Sequence, residues 1–186
     1  MRRLPFVLAA FLVGAPLVAG ACSTPAPIPA GAWVLTFNHS GPTCQLMTHN
    51  DNVGMIDASS AGTLVTDGVS GASVTCTVKG SGTFSVDGEV LANGSNLRVV
   101  IPSITSMATP MAPVMGTVSY ISPMTQNIFT SPQGNCNFYF SDPKETVSAG
   151  TIFVSFDCPE VDNGMQMCSI TGGHIKVTSC TGTPSA

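Results

Sequence analysis

The chain has 186 residues, of which 44% are hydrophobic and only 9% charged, with a formal net charge of −4. With a 21-residue leader set aside, four bases (Lys79, Arg98, Lys144, Lys176) face ten acids, a balance of −6. So few and scattered cations argue against nucleic acid as a partner and against electrostatic docking on anionic lipid.

The N-terminus reads as an export signal. Met1-Arg2-Arg3 is a basic start, Leu4 to Val18 an apolar run carrying Pro5 and Pro16, and Ala19-Gly20-Ala21 a small-residue stretch before Cys22. The run falls short of the roughly 20 apolar residues a spanning helix needs, so residues 1–21 are expected to be a signal peptide rather than a permanent anchor. Two cleavage readings stand. Ala19-Gly20-Ala21 fits the A-x-A pattern of ordinary signal peptidase. Ala19-Gly20-Ala21-Cys22 also resembles the lipobox of exported bacterial lipoproteins, although Ala19 stands where that pattern usually has Leu. The resemblance implies an acyl chain on Cys22 and a membrane as partner through it. With Ser23 rather than Asp next, it implies the outer membrane, with the domain periplasmic or at the cell surface. Without acylation the chain would be secreted.

Residues 22–30 follow as anchor and tether. Ser23 to Ala30 is Pro-rich and uncharged, a composition that favours extended, stiff conformers. The folded domain is expected over 31–182, with 183–186 as a tail. The 165 residues after the leader suffice for one domain with a core.

Within that domain the periodicity is two, not 3.6. Trp33, Leu35 and Phe37 share a strand face. So do Val74, Cys76 and Val78, and then Phe84, Val86 and Val90 with Ser85, Asp87 and Glu89 opposite. Leu97, Val99 and Ile101 follow, then Val118 and Tyr120, then Cys136, Phe138 and Phe140. Ile152, Val154, Phe156 and Cys158 form a longer set. Ile175 and Val177 close the series with His174, Lys176 and Thr178 outside. Lys79-Gly80-Ser81-Gly82 and Ala92-Asn93-Gly94-Ser95 are hairpin signals, and Gly172-Gly173 breaks the last segment. About eight strands joined by hairpins predict an all-β fold, either an antiparallel β-sandwich or a meander barrel. Residues 39–73 and 105–132 read as long loops with edge strands, the second because of Pro110, Pro113, Pro123 and Pro132.

Setting Cys22 aside leaves Cys44, Cys76, Cys136, Cys158, Cys168 and Cys180, an even set that a secreted domain pairs as disulfides. Six cysteines allow 15 connectivities, among which proximity in sequence points to Cys44–Cys76, Cys136–Cys158 and Cys168–Cys180. The spacing has no CxxC or mixed Cys/His cluster, so no metal and no cofactor are expected.

Candidate chemistry is sparse. His39, His49 and His174 read as solvated, and no G-x-S-x-G elbow places a nucleophile. Asn50-Asp51-Asn52 and Asp162-Asn163-Gly164 carry oxygen ligands but lack the calcium-loop pattern, and read as turns. Met107, Met111, Met115 and Met124 form the one unusual cluster. Its thioethers could meet Cu(I) in principle, but they fit an adaptable contact loop better, with Met107, Met111 and Met115 at its centre. Gly31-Ala32-Trp33 resembles the G-x-W motif of lipocalins, barrels that hold small apolar ligands. That family's T-D-Y motif and terminal Arg have no counterpart here. The expected role is therefore non-enzymatic binding or envelope structure, with an envelope protein or a small apolar ligand as partner. A lipocalin-like carrier is the first alternative and an envelope hydrolase the second.

Overall fold

The computed structural model describes residues 26–56, 62–132 and 134–182. The expected signal peptide of residues 1–21, Cys22 and the expected tail of residues 183–186 lie outside the described residues. Twelve strands occur in chain order: β1 Ala30–Asn38, β2 His49–Val53, β3 Val65–Thr66, β4 Ser73–Ser81, β5 Thr83–Ala92, β6 Ser95–Thr105, β7 Val114–Ile121, β8 Phe129–Thr130, β9 Cys136–Tyr139, β10 Thr146–Ser148, β11 Thr151–Asp162 and β12 Met167–Thr178. The described residues contain no helix.

The all-β expectation holds, and every one of the eight alternating segments is a strand. The four further strands are β2, β3, β8 and β10. The last three span only two or three residues, and β2 is His-Asn-Asp-Asn-Val, too polar to carry an alternating signal. Asn50-Asp51-Asn52, read from sequence as a turn, lies within β2 and pairs with Val34, Leu35 and Thr36 of β1. Tertiary pairing overrides the low strand propensity of Asn and Asp there.

All the strands join one antiparallel sheet in the order β2-β1-β12-β11-β8-β7-β6-β5-β4. β8 and β9 are two pieces of one broken strand, since each pairs with both β7 and β11. At the break, the Ser131 amide donates to Val118 O at 2.9 Å and the Val118 amide donates to Ser131 Oγ at 2.8 Å, so the ladder groups stay paired. The β5–β6 hairpin turns on Asn93 and Gly94, both at positive φ (53° and 81°), as the Asn-Gly dipeptide predicts.

The sheet rolls up until its β4 edge meets the residues that follow β12. Val78 N donates to Thr181 O and Thr181 N to Cys76 O, each at 3.1 Å, and Thr77 bridges Thr181 in parallel. Gly150 of the β10–β11 turn donates to Val78 O at 3.1 Å. An edge that would otherwise template aggregation is thereby covered.

The disulfides record the same closure. Cys136–Cys158 forms between β9 and β11 as proximity in sequence predicts, but the other four cysteines exchange partners. The bonds are Cys44–Cys168 and Cys76–Cys180, with sequence separations of 124 and 104. The physical reason is topological. β1 pairs with β12, which brings the β1–β2 connection against the start of β12, and the rolled edge brings β4 against the residues that follow β12.

Inside the roll, Trp33, Leu35, Phe37, Leu97, Ile101, Tyr120, Phe129, Phe138 and Phe156 are buried at 0–1% exposure. Trp33 meets Tyr120 edge-on at 5.9 Å, Phe37 meets Phe129 at 5.1 Å, and Phe138 meets Phe156 at 5.7 Å. Gly116 and Gly173 seat the last pair, for a Cβ at either position would come within 2.4–2.7 Å of the Phe138 or Phe156 ring.

Candidate functional site

The densest polar constellation stands on the outer face of β9, β11 and β12. Val154, Phe156 and Ile175 point inward, so Ser155 and His174 point outward, and they are direct cross-strand partners. The 140–145 connection folds down over them. Its turn is fixed by the Glu145 amide donating to Asp142 O at 3.0 Å and the Lys144 amide donating to Asp142 Oδ1 at 2.8 Å. This delivers the Glu145 side chain, fully buried, onto the sheet.

Five donors converge on that carboxylate. Oε2 accepts from the Ser141 amide, from Ser141 Oγ at 3.2 Å and from the Asp142 amide at 3.1 Å. Oε1 accepts from the Ser155 hydroxyl and from His174 Nδ1 at 3.1 Å. Burial by itself would raise the Glu145 pKa. The His174, Ser155 and backbone N–H bonds outweigh it and hold the carboxyl down at about 2, against an ordinary 4.5. Glu145 is therefore a carboxylate at any physiological pH, and a carboxylate only accepts, so His174 carries its proton on Nδ1 toward it.

Ser155, His174 and Glu145 have the composition of a hydrolytic triad but not its geometry. In a triad the acid binds one ring nitrogen and the serine hydroxyl the other. Here Ser155 Oγ lies 3.0 Å from the same Nδ1 that faces Glu145. The hydroxyl is also 2.7 Å from Ser141 Oγ, and Ser155 is 3% exposed. The arrangement latches the 140–145 connection to the sheet and orients the half-exposed His174 ring.

A second cluster joins β2 to the core. His49 stacks on Phe37 at 5.2 Å, its Nδ1 lies 2.9 Å from Met47 O, and its Nε2 lies 3.2 Å from the Tyr120 hydroxyl. Tyr120 donates to Asp51 Oδ2 at 3.0 Å, and Ser95 Oγ donates to the same oxygen at 2.8 Å. Burial, and then the Asp51 charge, raise the Tyr120 pKa, so the phenol keeps the proton it gives to Asp51. The cluster ties β2 to β6 and β7 across the roll.

The structure thus corrects the reading of the histidines as merely solvated. His49 and His174 are each built into a hydrogen-bonded set, because strand register places them opposite residues far away in sequence. His39 lies at a surface depression of about 370 Å³ with Gln45, Leu46, Met47 and Thr48, its Nδ1 3.1 Å from Leu46 O. Asp162-Asn163-Gly164 is the expected turn, with Gly164 at φ 84°.

Met107 and Met111 lie on the β6–β7 connection and are 79% and 95% exposed. Met115, half exposed, lies on the outward side of β7. Met124 is on the β7–β8 connection, at the other end of β7, so it does not join them. Trp33 of the Gly-x-Trp segment lies in the core, its Nε1 donating to Val90 O at 3.0 Å. Cys22 lies outside the described residues. The Glu145 cluster escaped the sequence reading because no local pattern signals it. The one available cue was an acid, Glu145, in a short polar link between apolar strands. Comparison with known proteins returns nothing, as no family model, curated protein or solved structure matches the chain.

Proposed function

We propose that this chain is an exported envelope protein, held on the outer membrane by an acyl group on Cys22, whose β-domain binds a partner without catalysing a reaction. The observation that carries the reading is the pair of long-range bridges, Cys44–Cys168 and Cys76–Cys180, that lock the rolled sheet. Bridges of this kind form and persist in oxidising compartments. All six cysteines of the domain are consumed by them and by Cys136–Cys158, which leaves Cys22 as the odd sulfur at the end of the signal segment.

Two features support binding over catalysis. The one Ser/His/Glu set among the described residues has its serine buried and on the wrong ring nitrogen. The exposed β6–β7 connection, with Met107, Met111 and Met115, offers an adaptable apolar surface of the kind that accommodates a protein partner. The interior, filled by the Trp33, Phe37, Tyr120 and Phe129 rings, favours an envelope protein over an enclosed small ligand.

The test is the intact mass of protein extracted from membranes of an expressing bacterium, beside the fractionation of a Cys22→Ala variant. Acylated Cys22 as the mature N-terminus, and a shift of the variant to the soluble fraction, are expected. An unmodified N-terminus at Cys22 or later would overturn the anchor.

A further inference from the structure

The domain divides its oxidant-sensitive side chains sharply between inside and outside. All six cysteines of the described residues are disulfide-bonded and at most 8% exposed. Trp33 and Tyr120 are fully buried. The buried core is made of Val, Ile, Leu, Phe, Ala, Trp, Tyr and Cys, with no methionine among the described residues. Met47, Met55, Met107, Met111, Met115, Met124 and Met165 are instead exposed at 81%, 63%, 79%, 95%, 50%, 58% and 77%.

This is the reverse of the usual placement, for methionine is among the residues most often buried. Six of the seven lie on connections between strands, and Met115 lies on the outward side of β7. A polar oxygen added to any of these sulfurs would meet water and remove no core contact, whereas a sulfoxide inside a core disrupts packing. With the thiols tied up, the thioethers are the reactive sulfur left on the described surface.

We propose that these seven methionines are a sacrificial modification site for two-electron oxidants of the peroxide class. A thioether lone pair attacks one oxygen of hydrogen peroxide and the O–O bond breaks. The sulfur gains that oxygen and is oxidised by two electrons to the sulfoxide, and the other oxygen leaves as water after proton transfer. Return to the thioether requires an external, thiol-dependent sulfoxide reductase, since no cysteine among the described residues is free to supply electrons. The inference does not rest on the acyl anchor, and of the seven only Met107, Met111 and Met115 share the surface proposed above for a partner, so the free chain is the one tested.

Hydrogen peroxide titration of the purified chain, read by peptide mapping and near-ultraviolet circular dichroism, tests it. Sulfoxide is expected at all seven positions ahead of the half-buried Met167, with Trp33 intact, the bridges unbroken and the thermal midpoint unchanged. Replacing all seven by Leu, a volume-conserving change on the surface, supplies the second arm. At limiting peroxide the native chain should lower the oxidised fraction of a methionine-containing reporter peptide in proportion to its seven exposed thioethers, and the Leu variant, left with Met167, should lower it far less. Loss of the fold in step with sulfoxide formation, or equal reporter oxidation beside both chains, would overturn the proposal.

Discussion

The indole N–H of Trp33 on β1 donates to the carbonyl of Val90 on β5, 3.0 Å away, although β1 and β5 are not neighbours in the sheet. The bond runs across the roll and ties its opposite walls together, while Gly31, two residues before Trp33, leaves room for the Val90 side chain. Trp33→Phe keeps a ring but loses this donor and part of the volume. It should cost about 2–3 kcal/mol, from a lost buried hydrogen bond plus a small cavity. The urea midpoint by far-ultraviolet circular dichroism should fall with its slope unchanged. A midpoint equal to that of the native chain would show that the cross-roll bond contributes nothing.

Glu145 makes the domain acid-sensitive in a defined window. Its pKa is depressed from 4.5 to about 2 in the folded chain, so its stabilisation is complete above about pH 4.5 and is lost as pH falls through 2. At 1.36 kcal/mol per unit this amounts to roughly 3 kcal/mol. Urea midpoints measured from pH 2 to 7 should show that loss. Glu145→Gln should lower stability at pH 7 and remove most of the slope between pH 4.5 and 2. An unchanged slope in the variant would assign the acid sensitivity to other carboxylates.

The two kinds of bridge should differ in what they contribute. In the chain-entropy model, closing a loop of about 100 residues stabilises by about 4.7 kcal/mol, and the 22-residue separation of Cys136–Cys158 corresponds to roughly 3.4. Removing Cys76–Cys180 as a double Ala variant should therefore cost more than removing Cys136–Cys158. It should also release the β4 edge, seen as faster hydrogen exchange at the Val78 amide, which Thr181 O holds. Equal losses, with Val78 still protected, would place the closure in the backbone ladder alone.

Gly173 tests how tightly the core is packed. A Cβ there would sit 2.4 Å from Phe156 Cζ, with Phe156 itself pressed against Phe138. Gly173→Ala should destabilise by about 1–3 kcal/mol through overpacking, although Ala suits a strand better than Gly. A neutral or stabilising result would mean that the Phe156 ring swings aside freely.

Most of the local structure was legible along the chain. Period-two runs such as Val74-x-Cys76-x-Val78 marked eight strands, and Asn93-Gly94 marked a turn, because burying one face of a strand writes its period directly into the residues. An even set of six cysteines likewise announced full pairing. What the chain alone left open was everything set by residues far apart in it. Asn50-Asp51-Asn52 reads as a turn, and it lies in a strand only because β1 supplies its partner. Cys44 and Cys76 are near in sequence, yet each bonds a cysteine more than 100 positions away, Cys44 because β1 pairs with β12 and Cys76 because the rolled sheet brings the β4 edge against the residues after β12. Glu145, Ser155 and His174 meet through strand register and one folded connection, and no spacing among them signals it. Side-chain period is a local property, and the sequence determined it. Closure, bridge partners and the polar latch depend on which strand edges meet in space, and only the tertiary structure decided them.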